Sequence, residues 1–583
     1  MEYRRLAEFY SALEATTSRN RMIQLLTDLF RETPRTLLGP VVYLSAGRIA
    51  PEFTGLEYNF GEKLAIRSLA RVLGIEEHEV EEKVIELGDI GDAGYALFTE
   101  KGYGRGGGLT VEEVFRRLVE IAKTSGAGAI GKKLELFSDL ISRATPLEVK
   151  YLLRTVTEKL RLGIGDNTIL EALSLAFTGS RRNRPDIERA YNLTSDLGYV
   201  AQILAEKGIE GVRAVRIEVG RPIRPMLAER MSVPALILKK LGGRCGAEFK
   251  YDGERIQAHR KGDRMWLFSR RLENITHQFP DLSEFLKEAI DHDFIVELEC
   301  VVIDPVSGQI EPFQTLMNRK VKHVTRFHIV RYPVAGFLFD LLYLDGEDMT
   351  LKPYPERRRL LEEVVKVTDR ISLAERKIVD NLKDLEAFFH RAVEEGCEGL
   401  VCKSLAPNSI YEAGKRGFLW IKYKRDYRSQ LADTLDLVVV GAFHGRGQRA
   451  GHFGSLLMAC YDPEGDQFKT VCKVGTGFSE EDFLKLERLL GDRRIAHRHP
   501  RVNSFLSADM WFEPSLVLEI TGAELTLSSV HTCGWGKVEE GRGLGLRFPR
   551  FTGRYRFDKR PEDATTEGEI LEMFQQQRRF RSY

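Results

Sequence analysis

Lys250 lies in the run Ala247-Glu248-Phe249-Lys250-Tyr251-Asp252-Gly253-Glu254-Arg255, where strand-forming residues meet turn chemistry. A lysine amine is a nucleophile only when neutral, and burial or neighbouring cations favour that form. If the electrophile is a nucleotide phosphorus, more is needed. Cations must face the non-bridging oxygens, carboxylates must hold a divalent metal, and the base needs a slot. Candidates recur along the chain. Arg255 follows five residues later, and Arg270 ends the second strand of a predicted hairpin. Glu297 and Glu299 alternate on one face of a strand predicted over 294–303. Glu398 precedes Gly399-Leu400-Val401-Cys402-Lys403, and strand alternation sends Val401 and Lys403 to one side. Trp420, Lys422 and Lys424 share a face of another strand. Taken singly, Lys250 reads equally as a solvated lysine on a strand end.

The elements that must position these residues divide the chain in three. Residues 1–215 read as helical: Leu6, Phe9, Tyr10 and Leu13 follow helix spacing, and Thr110 with Glu113 forms a capping box. In Arg161-Leu162-Gly163-Ile164-Gly165-Asp166-Asn167-Thr168, two glycines precede a helix predicted over 169–177. That helix start suits a phosphate, and equally an ordinary joint between helices. The loop Gly102–Gly108 reads as a glycine-rich lead into the Thr110 helix. Residues 216–427 mix strands and helices, starting from a strand-like Val215–Val219 and a lead-in Arg224-Pro225-Met226-Leu227-Ala228. Residues 428–583 carry short strands and glycine turns interrupted by one helix, Glu480–Leu490. That pattern fits a β-barrel of the oligonucleotide-binding (OB-fold) type. The polar link 427–434 is a candidate hinge.

Composition narrows the class. With 583 residues, 43% hydrophobic and 30% charged, the chain is too long for one core and suits a multidomain globular protein. No run reaches membrane-span length, and the seven scattered cysteines read as reduced core residues, so a cytoplasmic protein is expected. The twelve histidines form no ligand cluster. Net charge is only +1, but residues 541–560 hold seven Lys or Arg against Asp558, and 411–428 hold six against Glu412 and Asp426. Both stretches interleave aromatics, which suits phosphate-rich partners as well as solvated faces.

The ordered set Lys250-Tyr251-Asp252-Gly253, Glu297-Leu298-Glu299, Phe339-Asp340, Glu398-Gly399 to Lys403, and Lys422-Tyr423-Lys424 resembles the nucleotidyltransferase motifs of ligases and capping enzymes. The tail Leu546–Phe551, Arg556-Phe557-Asp558-Lys559 and Glu562–Thr566 resembles the last motif of ATP-dependent DNA ligases of the archaeal and eukaryotic replicative type. The resemblance covers nearly the whole chain. It implies an all-α DNA-binding domain, an α+β adenylation domain and an OB-fold domain. The implied reaction is nick sealing through a lysyl-AMP, in DNA replication, repair and recombination. ATP and Mg²⁺ are the implied cofactors, nicked double-stranded DNA the partner, and a monomer the state.

Carried over residue by residue, the resemblance makes Lys250 the adenylylated lysine, Glu248 the reader of the adenine amino group and Phe339 the ring stacked on the base. Arg255 and Arg270 fall on the ribose and phosphate side. Glu299 is a ribose or metal ligand and Glu398 a metal carboxylate. Arg416 belongs to the nucleotide site, and Lys422 and Lys424 to the α-phosphate. Arg556, Asp558 and Lys559 press on departing pyrophosphate. Glu297-Leu298 departs from the family's usual Asp-Gly. A sliding clamp is a further implied partner, although Gln24–Phe30 and Gln575–Phe580 match clamp-binding peptides poorly. Capping guanylyltransferase, RNA ligase and a catalytically idle nucleic-acid-binding protein are the alternatives. The helical first third and the Glu562–Thr566 tail argue against the first, and DNA against RNA nicks tests the second. The ordered set of charged residues argues against the third.

Overall fold

Apolar residues at helical spacing bury one face of each helix in the N-terminal region, which runs from Tyr3–Glu14 to Leu197–Arg213. The computed structural model describes residues 1–581 apart from 104–107, 305–308, 312, 320, 322–323, 425–433, 445–452 and 523. Most of the glycine-rich loop and of the 427–434 link therefore lies outside the described residues. Val215–Thr434 with Asn192–Ser195 forms one compact unit, and Met1–Tyr191, Asp196–Ala214 and Leu435–Tyr583 form the other.

The Val215–Thr434 unit is built on two sheets. In chain order its strands are β1 (Leu227–Arg230), β2 (Cys245–Lys250), β3 (Glu254–Lys261), β4 (Arg264–Ser269), β5 (Phe294–Val302), β6 (Val334–Leu344), β7 (Glu347–Asp348), β8 (Ile371–Leu373), β9 (Arg376–Val379), β10 (Gly399–Ser404) and β11 (Arg416–Lys424). One sheet has the order β1-β11-β10-β2-β9, the other β4-β3-β5-β6-β7 with β8 beside β6. The predicted hairpin is β3–β4, closed at Lys261–Arg264. It does not continue the lysine strand. β2 and β3 belong to different sheets, so Lys250 ends one sheet where the chain crosses to the other.

Val215–Val219 forms no strand. This lead-in is fastened by side chains instead: Gly220 N–H donates to His259 Nδ1 (3.1 Å), and Ile223 N–H to Gln257 Oε1 (2.7 Å). Burial pushes His259 down to about 3, so it stays neutral and can accept from Gly220. The departure at Glu297-Leu298 is absorbed by a register shift between β5 and β6 at that point, and Leu298 is fully buried.

In the other unit, β12 (Leu435–His444), β13 (Phe453–Asp462) and β14 (Gln467–Val474) form an antiparallel meander. Val517–Thr521 pairs with β12 and with Arg550–Tyr555, and Phe551 N–H donates to Thr476 O (2.9 Å) just beyond β14. The sheet thus curls round on itself, and the helix Glu480–Gly491 buries Phe483, Leu486 and Leu490 in its core. The helix after the two-glycine loop starts earlier than predicted, at Asp166. Its Thr168 hydroxyl donates to Asp466 Oδ2 of the barrel (3.0 Å), and Asn167 Nδ2 to Tyr461 OH (3.3 Å).

Between the two sheets, Arg357 donates to both oxygens of Asp340 (2.7 and 2.9 Å), both side chains being 0% exposed. Burial works against the Asp340 charge, but the guanidinium outweighs it and holds the carboxyl below its ordinary range. Breaking such a pair leaves a lone buried charge. We expect Arg357→Met to cost roughly 3–5 kcal/mol, and Arg357→Met with Asp340→Leu to recover most of it. The urea midpoint followed by tryptophan fluorescence checks this.

Candidate active site

Register places Lys250 directly opposite Gly399 of β10, and Gly399 in turn opposite Lys424 of β11. Gly399 has φ +144°, and a Cβ there would lie 2.2 Å from the Tyr423 carbonyl. Only glycine lets the three strands close at that point. Just before it, Glu398 N–H donates to the Lys250 carbonyl (2.8 Å). The Glu398 carboxylate is therefore delivered to the lysine end of the sheet. Its Oε2 lies 2.6 Å from Lys250 Nζ and 2.8 Å from Lys424 Nζ, one oxygen shared by two ammonium groups. Lys422, two residues before Lys424, pairs with Val401 and projects on the same side of β11 as Lys424.

The facing sheet contributes Glu299, opposite Arg255 in the β3–β5 ladder. Burial pushes the Glu299 carboxyl up to about 7. Glu398 and Glu254 add to the rise, while Lys250 and Arg255 oppose it. Arg255 itself is bidentate to Glu297 (2.9 and 2.7 Å) and donates to Met226 O (2.7 Å). Its guanidinium lies 5.4 Å from the Phe339 ring centre and 5.6 Å from that of Trp420. Glu297 is thus the partner that fixes Arg255. Arg270 stands just beyond β4 with Nε buried and without a hydrogen-bond partner among the described residues. Arg416 opens β11, paired with Leu227.

Glu248, 1% exposed, points between the sheets. Its Oε1 accepts from Tyr354 OH (2.5 Å) and Arg358 Nη1 (3.1 Å), and its Oε2 faces Lys403 Nζ at 2.6 Å. Lys403 also donates to the Phe339 carbonyl (2.9 Å) and lies 5.0 Å from the Phe339 ring centre. Burial draws Lys403 below its ordinary value despite Glu248 beside it. Tyr354 and Arg358 escaped the sequence reading. They belong to the helix Tyr354–Val364, one turn apart.

Among the expected residues, Lys250, Glu398, Lys424 and Glu299 form one cluster, while Glu248, Phe339 and Trp420 gather around Lys403, and Arg255 packs against Phe339 and Trp420. Arg556 and Lys559 belong to the other unit. There Arg556 binds Asp436 (3.0 Å) and Asp558 (2.7 Å), and Lys559 also binds Asp436. The basic–aromatic stretches are mostly core: Tyr411, Trp420, Tyr423, Phe551 and Tyr555 are buried, whereas Phe548 is 74% exposed.

The Glu299 environment is testable. Its carboxyl should titrate near pH 7, lower in Glu398→Gln, where a like charge is gone, and higher in Lys250→Met, where the opposing cation is gone. Carboxyl ¹³C shifts followed against pH check both directions.

Three family descriptions match in chain order: "DNA ligase N terminus" over 2–174, "ATP dependent DNA ligase domain" over 225–424 and "ATP dependent DNA ligase C terminal region" over 449–559. The chain is 73% identical over 581 residues to a probable DNA ligase of Aquifex aeolicus and 70% identical over 582 residues to one of Persephonella marina, each match covering 100% of both chains. It is 52% identical to DNA ligase 2 of Thermofilum pendens, covering 99% of this chain and 98% of that one. With the Lys250–Glu398–Lys424 cluster falling inside the central matched region, the chain belongs to the ATP-dependent DNA ligase family.

Proposed function

We propose that this enzyme seals nicks in double-stranded DNA by three phosphoryl transfers passing through Lys250. The observation that carries the reading is Lys250 Nζ held at 2.6 Å from Glu398 Oε2, which also lies 2.8 Å from Lys424 Nζ. In the first transfer the amine sheds a proton, Nζ bonds to the α-phosphorus of ATP, and the bond to the β-phosphate oxygen breaks, releasing pyrophosphate. The 5′-phosphate of the nick then takes the AMP from Lys250, and the 3′-hydroxyl finally displaces AMP to join the strands. Lys422 and Lys424 face the α-phosphate oxygens, so the groups work by position and charge.

Phe339 stacks on adenine. Glu248 accepts from its amino group: a carboxylate has about four lone-pair sites, and Tyr354, Arg358 and Lys403 occupy three. Arg255, Arg270 and Arg416 serve the ribose and phosphates.

Mg²⁺ fits the carboxylates present. It binds through one or two carboxylates plus substrate phosphates, and no cluster of three or more ligands exists among the described residues. Glu299 and Glu398 would hold it, and their mutual repulsion is what a dication relieves. When bound it neutralises phosphate charge and polarises the phosphorus.

The chain is read as three working domains: helical 1–215, adenylation 216–427 and OB-fold 428–583. Arg556, Asp558 and Lys559 act on the departing pyrophosphate in the first transfer, with the 427–434 link as hinge. The helical domain grips duplex backbone without reading sequence, so affinity falls steeply with salt. A monomer working in the cytoplasm, served by a sliding clamp, completes the reading. Gln24–Phe30 is not the clamp peptide in this scheme, because Leu25, Leu26, Leu29 and Phe30 are buried. No helix among the described residues is long and apolar enough to cross a membrane.

With α-labelled ATP and Mg²⁺, label should attach covalently to the wild type and not to Lys250→Ala; an unlabelled wild type overturns the reading. Lys559→Ala should lose about 10²–10³-fold in self-labelling yet still seal a nick that is already adenylylated. Equal loss in both assays would remove the pyrophosphate role.

A further inference from the structure

We propose that nucleobase selection is set from outside the slot, by Tyr354 and Arg358 acting as positioning residues for the Glu248 carboxylate. The inference rests on the reading of Glu248 as the residue that meets the adenine amino group. That carboxylate is not free to turn. Oε1 takes the Tyr354 hydroxyl at 2.5 Å and the Arg358 guanidinium at 3.1 Å, which fills its two lone pairs. The remaining site is then on Oε2, the oxygen next to Lys403, and Lys403 is tied to the Phe339 carbonyl at 2.9 Å. The one acceptor site left is thus on the oxygen facing Lys403, whose Nζ lies 5.0 Å from the Phe339 ring centre.

The two anchors are themselves fixed. Tyr354 and Arg358 lie one turn apart on the helix Tyr354–Val364, so they meet Glu248 from one face. Arg358, 3% exposed, also donates to Ala374 O (2.8 Å) and Glu362 Oε1 (2.9 Å). The Tyr354 ring fits because residue 246 is glycine: a Cβ there would lie 3.0 Å from the ring edge. The chemical consequence is polarity. Glu248 accepts from Tyr354 and Arg358 and faces Lys403, so it presents acceptors, which suit a 6-amino donor and disfavour a 6-oxo acceptor. Loosening either anchor lets the carboxylate rotate and blurs that distinction while Phe339 still stacks any purine.

The test compares self-adenylylation of the full chain with ATP and self-nucleotidylation with purine riboside triphosphate, which lacks the 6-amino group, and with inosine triphosphate, which carries oxygen there. In Tyr354→Phe and Arg358→Met the kcat/KM preference for ATP over both analogues should fall at least about tenfold, mostly through KM for ATP. Arg358→Lys, which keeps the charge, should retain most of the preference. Glu248→Gln is the control for the underlying reading and should lose the preference as well. If Glu248→Gln loses it while Tyr354→Phe and Arg358→Met keep it, or lower all three nucleotides alike, the positioning role is wrong and the base reader stands. If Glu248→Gln keeps the preference, the base reading itself fails and this inference with it.

Discussion

A charge carried between two packed sheets must find an opposite charge there or unfold the layer that holds it. The cleft of the adenylation region obeys that constraint throughout. Arg357 answers Asp340, Arg255 answers Glu297, and Glu248 sits between Arg358 and Lys403. Arg255 and Glu297 stand on neighbouring strands of one sheet and Glu248 and Lys403 on neighbouring strands of the other, while the helix Tyr354–Val364 sends Arg357 to Asp340 of the first sheet and Arg358 to Glu248 of the second. The groups that remain for chemistry are those at the open end: Lys250, Lys424, Glu398 and Glu299.

Lys250 inherits its position from backbone geometry. β2 ends at Lys250 because the chain leaves that sheet, and Gly253 lets it enter the next, since a Cβ there would lie 2.2 Å from the Cys300 carbonyl of β5. The glycine of the Lys-x-Asp-Gly run is thus required by close approach to another strand more than by the turn. Gly399 does the same on the other side, and together they place the Glu398 carboxylate on the lysine amine. Nearby, burial above all, with Glu398 and Glu254 beside it, pushes the Glu299 carboxyl up to about 7 against the pull of Lys250 and Arg255.

The barrel follows the same rule with different partners. Asp436, the second residue of β12, collects Arg556 and Lys559, and Asp558 takes the other arm of Arg556. These cations are stored as ion pairs inside the barrel, so presenting them to a triphosphate means exchanging one set of anions for another. Barrel Asp466, likewise, meets Thr168 at the start of a helix that the sequence left open between a phosphate site and an ordinary joint.

By itself the sequence determined the local facts. Strand alternation put Trp420, Lys422 and Lys424 on one face, helix spacing defined the N-terminal region, and the ordered motifs singled out Lys250, Glu299, Glu398 and Phe339 as candidates. Those signals are local because periodicity and motif spacing depend on neighbours in the chain. Only the tertiary structure decided which groups are already engaged. Nothing around Glu248 announced Tyr354 and Arg358, more than a hundred residues away. Glu297 alternates with Glu299 in sequence, yet one is held by Arg255 and the other stands beside Lys250. The aromatic residues of the basic stretches looked like a nucleic-acid face and proved to be largely core. Pairing and burial depend on residues brought together across the chain, and no local pattern encodes that meeting.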